Sequence, residues 1–157
     1  MSRYKAFTLI ELLVTVVVVS LLTGILIPSI SSFYRKNQLD VVERELAAAI
    51  QFARDTALKK NYPLVLMPIN KNNWAEGMIL FQDNRQHRYT GKEQVFFQWQ
   101  WPYAGLKISW HGFQSDDFLL FANNLYNSAI NGQFSLTQNN LPAKKVVINR
   151  IGRLKIN

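Results

Sequence analysis

Between Leu12 and Tyr34 the chain carries no charged side chain, a run of 23 residues. A helix that crosses the hydrocarbon core of a bilayer needs about 20 apolar residues. The run is long enough for that, and basic residues flank it: Arg3 and Lys5 before, Arg35 and Lys36 after. Three readings fit the flanks. The run can be a cleaved secretory signal, with Ser29 and Ser31 as small residues near a cut. It can be a plain anchor helix, or a membrane segment whose neighbouring carboxylate has a purpose. Glu11 stands at the start of the run and argues for the third, because a charge at that depth is costly and calls for a partner. Gly24 and Pro28 weaken helix late in the run, so a bend or local melting is expected there.

Past Arg35 the pattern turns amphipathic. Leu39, Val42, Leu46, Ala49, Ala53 and Ala57 recur every three or four residues, the spacing of one helical face. Lys59 and Lys60 suit the negative end of a helix, Asn61 suits its cap, and Pro63 follows. One helix from about Phe7 to Lys60 is expected, ~80 Å long at ~1.5 Å per residue. Its second half has an apolar stripe that must pack on something.

From Tyr62 onward the signal is short β-runs separated by turn residues. They are PLVLMPI (63–69), GMILFQ (77–82), QVFFQWQW (94–101), LKISW (106–110), FLLFA (118–122), GQFSL (132–136), KKVVIN (144–149) and RLKIN (153–157). Residues 83–93 and 123–132 read as loops. The expected fold class is α+β: a long N-terminal helix whose amphipathic half packs on an antiparallel β-domain of one sheet or two small ones.

The last run folds back on the one before it. With Arg150, Ile151 and Gly152 as a three-residue turn, Gly152 supplies the left-handed residue that such a loop wants at its third position. Asn149 then faces Arg153, Ile148 faces Leu154, Val147 faces Lys155, and Val146 faces Ile156. Val146, Ile148, Leu154 and Ile156 fall on one face, assigned to the core. A two-residue turn would mix the faces, and a slip of one residue inverts a strand's exposure.

The other face is basic. Lys145, Arg153 and Lys155 lie on it, Arg150 is at the tip, and Lys144 is nearby. The chain carries a net charge of +8, and Glu93, Asp116 and Asp117 are the acidic residues after position 87. Such a ribbon suits phosphates or a nucleic-acid groove. The competing reading is a solvated edge, whose charges deter strand-to-strand aggregation.

Little else points to chemistry. With no Cys there is no disulfide, thiolate metal site or Cys nucleophile. His87 and His111 are isolated, Asp116 and Asp117 point to opposite faces if extended, and no phosphate-binding glycine loop occurs. The expectation is a non-enzyme with no catalytic residues, no metal and no cofactor. Phe97, Trp99 and Trp101 alternate along one strand face and either line the core or stack bases.

The two ends of the chain resemble a known family. The basic leader MSRYKA followed by FTLIELLV resembles the processing signal of type IV pilins and type II secretion pseudopilins. The resemblance implies that a prepilin peptidase in the inner membrane cuts between Ala6 and Phe7 and methylates the new amino group. The family usually has Gly where this chain has Ala6. Glu11 then neutralises the Phe7 amine of a neighbouring subunit during assembly. ELAAAIQFARDTALKKNYPLVL (45–66), WAEGMILFQD (74–83) and VVINRIGRLKI (146–156) resemble the FimT/GspH family of minor pilins and pseudopilins. The implied layout is a leader (1–6), a transmembrane and assembly half-helix (7–34), an amphipathic half-helix (35–61) and a periplasmic β-domain (62–157) ending in a basic hairpin (144–157). In FimT-type proteins a Gly-Arg-x-Arg segment at this place binds DNA for natural transformation. Here it reads Gly152-Arg153-Leu154-Lys155, which keeps the charge and loses one forked donor. The implied DNA-binding set is Lys144, Lys145, Arg150, Gly152, Arg153 and Lys155. Implied partners are other pilin or pseudopilin subunits, the prepilin peptidase, DNA and the inner membrane. Two functions remain open: a DNA-binding minor pilin of a type IV pilus, or a structural minor pseudopilin of a type II secretion system.

Overall fold

The structure is a computed structural model that describes residues 8–71, 73–124, 127–139 and 141–156, with the side chains of residues 25–32 outside that description. The expected processing pair, Ala6 and Phe7, also lies outside the described residues. The chain divides into two compact units, Met1–Asn37 and Gln38–Asn157.

A single helix, α1, runs Leu9–Lys60. Its start is a reciprocal cap. Glu11 Oε2 accepts from the Thr8 amide at 3.2 Å and from the Thr8 hydroxyl at 3.1 Å, while the Glu11 amide donates to Thr8 Oγ1 at 3.3 Å. Two of the orphan amides of a helix start are thereby satisfied. The described side chains of the first unit are exposed. The helix continues through Gly24 and Pro28 with no melted turn, contrary to the expected local melting. Melting frees backbone groups that must find other partners. Among the described residues no helix is long and apolar enough to cross a membrane.

The second unit holds the rest of α1 and eight strands: β1 (Leu64–Asn70), β2 (Asn73–Gln82), β3 (Val95–Trp99), β4 (Leu106–Gly112), β5 (Leu119–Phe121), β6 (Gly132–Gln138), β7 (Lys144–Ile148) and β8 (Leu154–Ile156). α1 ends where Asn61 adopts a left-handed conformation, φ 58°, and its amide bonds Ala57 O at 3.0 Å, as Asn does at helix C-termini. The strands form two antiparallel four-stranded sheets, ordered β3-β2-β1-β5 and β4-β6-β7-β8.

The helical stripe read from spacing is the stripe that packs. Leu39, Val42, Leu46, Ala49, Ile50, Ala53 and Ala57 share one buried core with Leu64, Leu66, Met78 and Leu80 of the first sheet and with Ile108, Phe134, Leu136, Val146 and Ile148 of the second. Trp74 and Trp110 both pack on Phe134, at ring separations of 5.1 and 4.5 Å. Trp101 is buried and its indole donates to Glu45 Oε2 at 2.5 Å, fixing α1 to the segment after β3.

The first sheet is covered on its other face as well. Val65, Ile79 and Phe81 form a second cluster, with Met67, Phe118 and Leu120 against it. Residues 83–94 lie over this face: Tyr89 packs on Phe81 at 5.4 Å, and His87 stacks on Phe118 at 5.0 Å. Burial on two faces explains why Leu64, Val65 and Leu66 are all buried in sequence, where a half-solvated strand would alternate. Phe97 departs from the core reading of the aromatic run. It is 49 % exposed and packs edge-on with Phe52 of α1 at 6.0 Å, because β3 is an edge strand.

Candidate nucleic-acid interface

The β7–β8 hairpin is built by local chemistry. Val146 pairs with Ile156, Val147 with Lys155, and Ile148 with Leu154, and the Asn149 amide donates to Arg153 O at 3.1 Å. The turn is therefore Arg150-Ile151-Gly152. Gly152 takes φ +75°, a conformation that costs Gly little and other residues more. Asn149 holds the turn together. Its backbone carbonyl accepts from the Gly152 amide at 2.9 Å, and its side-chain Oδ1 accepts from the amides of Ile151 at 3.1 Å and Arg153 at 2.8 Å. Val146 and Ile148 are fully buried and Leu154 packs at the core margin. Ile156 does not join them: it is 51 % exposed, because β8 is the outermost strand of its sheet.

Lys144 and Lys145 part company at the start of β7. Successive strand residues point to opposite faces, and Lys144 points inward with Val146 and Ile148. Its ammonium lies 2.7 Å from Asp40 Oδ1 and also pairs with Glu43 Oε2. Glu43 is buried. Burial pulls the Lys144 pKa down, but hydrogen bonds to Asp40 and Glu43, with their charges, outweigh that and hold it above 10.5. This corrects the expected set: Lys144 is committed to α1 and is withdrawn from phosphate contact.

Lys145, Arg153 and Lys155 are exposed, and the sheet extends their face. Register places His111, Gln133, Val147 and Lys155 in one row across β4, β6, β7 and β8. Ser109, Ser135 and Lys145 form the next row, and Lys107 and Thr137 the one after. Lys107 is exposed. These four strands contain no carboxylate, and Asp116, from the segment after β4, lies 3.8 Å from His111 Nδ1 at one corner of the face. Their outer face offers Lys107, Lys145 and Lys155 among hydroxyl and amide side chains, with Arg150 and Arg153 at the hairpin end. Such a surface supplies cations and hydrogen-bond donors for phosphate oxygens without base-specific geometry.

Two contributors were not legible beforehand. Lys107 belongs to a visible alternation, LKISW, but its neighbours follow from the sheet order. Asn149 carries a usable signal, since Asn side chains bond backbone amides two residues on in turns.

The comparisons agree with this architecture. The family model described as type II transport protein GspH matches residues 44–152. The prokaryotic N-terminal methylation motif matches residues 1–27. Among solved structures, the fold is similar to the type IV minor pilin FimU of Pseudomonas aeruginosa, with TM-score 0.62, 17% identity, and coverage of 80% of this chain and 92% of that one. It is also similar to the minor pseudopilin EpsH of the Type 2 Secretion System of Vibrio cholerae, with TM-score 0.57, 8% identity, and coverage of 76% and 96%. At these identities the likeness shows a shared pilin-like α+β fold. No curated protein sequence matches the chain.

Proposed function

Because the chain belongs to the GspH family of type II transport proteins, we propose that it is a minor pilin that assembles through α1 and binds DNA non-specifically through the outer face of its second sheet. The observation that carries the DNA reading is an outer face bearing Lys107, Lys145 and Lys155 on strands that contain no carboxylate, continuous with the tip residues Arg150 and Arg153 and away from the His111 corner where Asp116 lies. The methylation motif over residues 1–27 supports the rest. In this reading a prepilin peptidase removes residues 1–6 between Ala6 and Phe7. The apolar half of α1 holds the subunit in the inner membrane, with residues 62–157 in the periplasm. Glu11 of one subunit then pairs with the Phe7 amine of the next, so that neither charge stays alone in an apolar setting. DNA held this way supports uptake in natural transformation.

The test is DNA binding by the full chain in neutral detergent across a salt series. Five phosphate contacts give a log–log slope of about −4 to −5 on duplex DNA. Replacing Lys145 and Lys155 with Gln lowers the slope by about one per residue and weakens all sequences alike. A chain that ignores DNA at low salt leaves the second reading, a structural pseudopilin of a type II secretion system with protein partners, which the family membership accommodates equally.

A further inference from the structure

The hairpin tip does not stand alone: α1 brings a guanidinium to it. Arg54 is half-buried beside the turn. A methyl group built on Gly152 would lie 3.0 Å from Arg54 Nη1 and 3.3 Å from its Cδ. A cleft of about 430 Å³ opens here between α1 and the turn, lined by Gln51, Arg54, Asp55, Gly152, Arg153 and Leu154. Among the described residues, neither the Arg54 nor the Arg153 side chain makes a hydrogen bond or an ion pair. Two guanidiniums with unspent donors thus line one cleft whose wall, at Gly152, has no side chain.

We propose that Arg54 and Arg153 form a two-pronged phosphodiester site in this cleft. A DNA strand lying on the outer face of the second sheet passes the hairpin tip and sets one backbone phosphate between them. This rests on the reading of the hairpin face as a DNA-binding surface, and it adds a residue from outside that surface. Three physical points favour it. Guanidinium groups present planar forks that match phosphate oxygens with paired hydrogen bonds. Arg54 packs against the turn, so less of its side-chain freedom is lost on binding. Gly152 keeps the wall open, and any side chain there would press on the Arg54 guanidinium. Asp55 lines the same cleft and opposes the anion. It leaves the cleft one positive charge in excess, and its repulsion supplies a test of opposite sign.

The experiment measures affinity of the full chain in neutral detergent for a labelled DNA oligonucleotide, as anisotropy over a salt series. Arg54→Gln weakens binding about tenfold and lowers the salt slope by about one. Arg54→Lys restores the slope and only part of the affinity, because charge returns without the fork. Asp55→Asn tightens binding. If Arg54→Gln leaves affinity and slope unchanged while Arg153→Gln and Lys155→Gln reduce both, the two-pronged site is wrong and the DNA-binding surface stands. If Asp55→Asn has no effect and Arg54→Gln weakens binding only in step with a lowered melting temperature, the site is likewise overturned. If the unsubstituted chain binds no DNA at low salt, both ideas fall together.

Discussion

Thr8 and Glu11 hold each other at the start of α1, hydroxyl to carboxylate at 3.1 Å and amide to hydroxyl at 3.3 Å. The acid beside the uncharged run therefore has a task within a single chain, before any neighbour arrives. Capping needs an acceptor at this position, which Gln also provides. Neutralising a neighbour's amine needs a charge. Glu11→Gln keeps the cap and loses the charge, and Thr8→Ala does the reverse. With the proposed assembly role, Glu11→Gln abolishes recovery of the subunit in sheared filaments, while Thr8→Ala lowers it by about fivefold at most, in keeping with a cap worth about 1 kcal/mol. Equal recovery of wild type and Glu11→Gln would show that capping is the whole role.

Lys144→Met tests the correction made to the basic set. It leaves the buried Glu43 and its neighbour Asp40 without the ammonium between them. The partial exposure of the pair tempers the penalty of an uncompensated buried charge, and the expected loss of stability is about 2 kcal/mol, read by urea denaturation. DNA affinity stays within about twofold, because the side chain does not face the outer surface. The Lys144 pKa is raised in the folded chain. Its contribution is therefore complete below the unfolded value of 10.5 and is lost as pH rises through the higher folded value. Denaturation midpoints of wild type and Lys144→Met converge on that alkaline side.

Glu93 governs the segment over the second hydrophobic cluster. Its carboxylate accepts from the Thr90 amide at 2.8 Å, from the Thr90 hydroxyl at 2.7 Å and from the Asn84 side chain at 2.6 Å. The Thr90 amide, then its hydroxyl, lower the pKa from 4.5 to about 2. A depressed acid stabilises above its unfolded value and ceases to as pH falls through its folded one. Amide exchange of residues 84–93, corrected for intrinsic rates, accelerates as pH falls from 4.5 toward 2, with the sheets still protected. A flat profile through that window would show that Glu93 does not hold the segment.

The turn has two separable supports. Asn149→Ala removes the acceptor for the Ile151 and Arg153 amides and costs about 1–2 kcal/mol. Gly152→Ala forces a left-handed φ on a residue with a Cβ and presses on Arg54, at a cost of about 1–2 kcal/mol. Both variants keep every charge, and both weaken DNA binding if the placement of Arg150 and Arg153 matters beyond their number. Unchanged affinity in the folded variants would mean that charge alone counts.

The register of the hairpin was readable from sequence, because a three-residue turn ending in Gly152 and strict two-residue alternation leave one pairing that keeps apolar residues together, although Ile156 is exposed rather than in the core. The helix stripe was readable for a similar reason. What could not be read depends on contacts distant in sequence. Lys144 and Lys145 are equivalent in composition, and only the arrival of Asp40 and Glu43 over β7 distinguishes them. Phe97 belongs to an aromatic run that suits a core, but its strand lies at a sheet edge. Residues 83–93 read as a loop, and nothing in their polar composition shows that Tyr89 and His87 cover Phe81 and Phe118. The basic face spans four strands whose order, β4-β6-β7-β8, no local pattern encodes.

The clip formed by Asp40, Glu43 and Lys144 has a mechanical meaning. A pull carried by the part of α1 in the second unit reaches the first residue of β7 through this clip, and β7 is paired with β6 along its length and with β8 from Val146 to Ile148. The load passes first into the β6 ladder at Leu136 and only farther along the strand into β8, so the towline is tied to the inner part of the sheet rather than to its outermost strand.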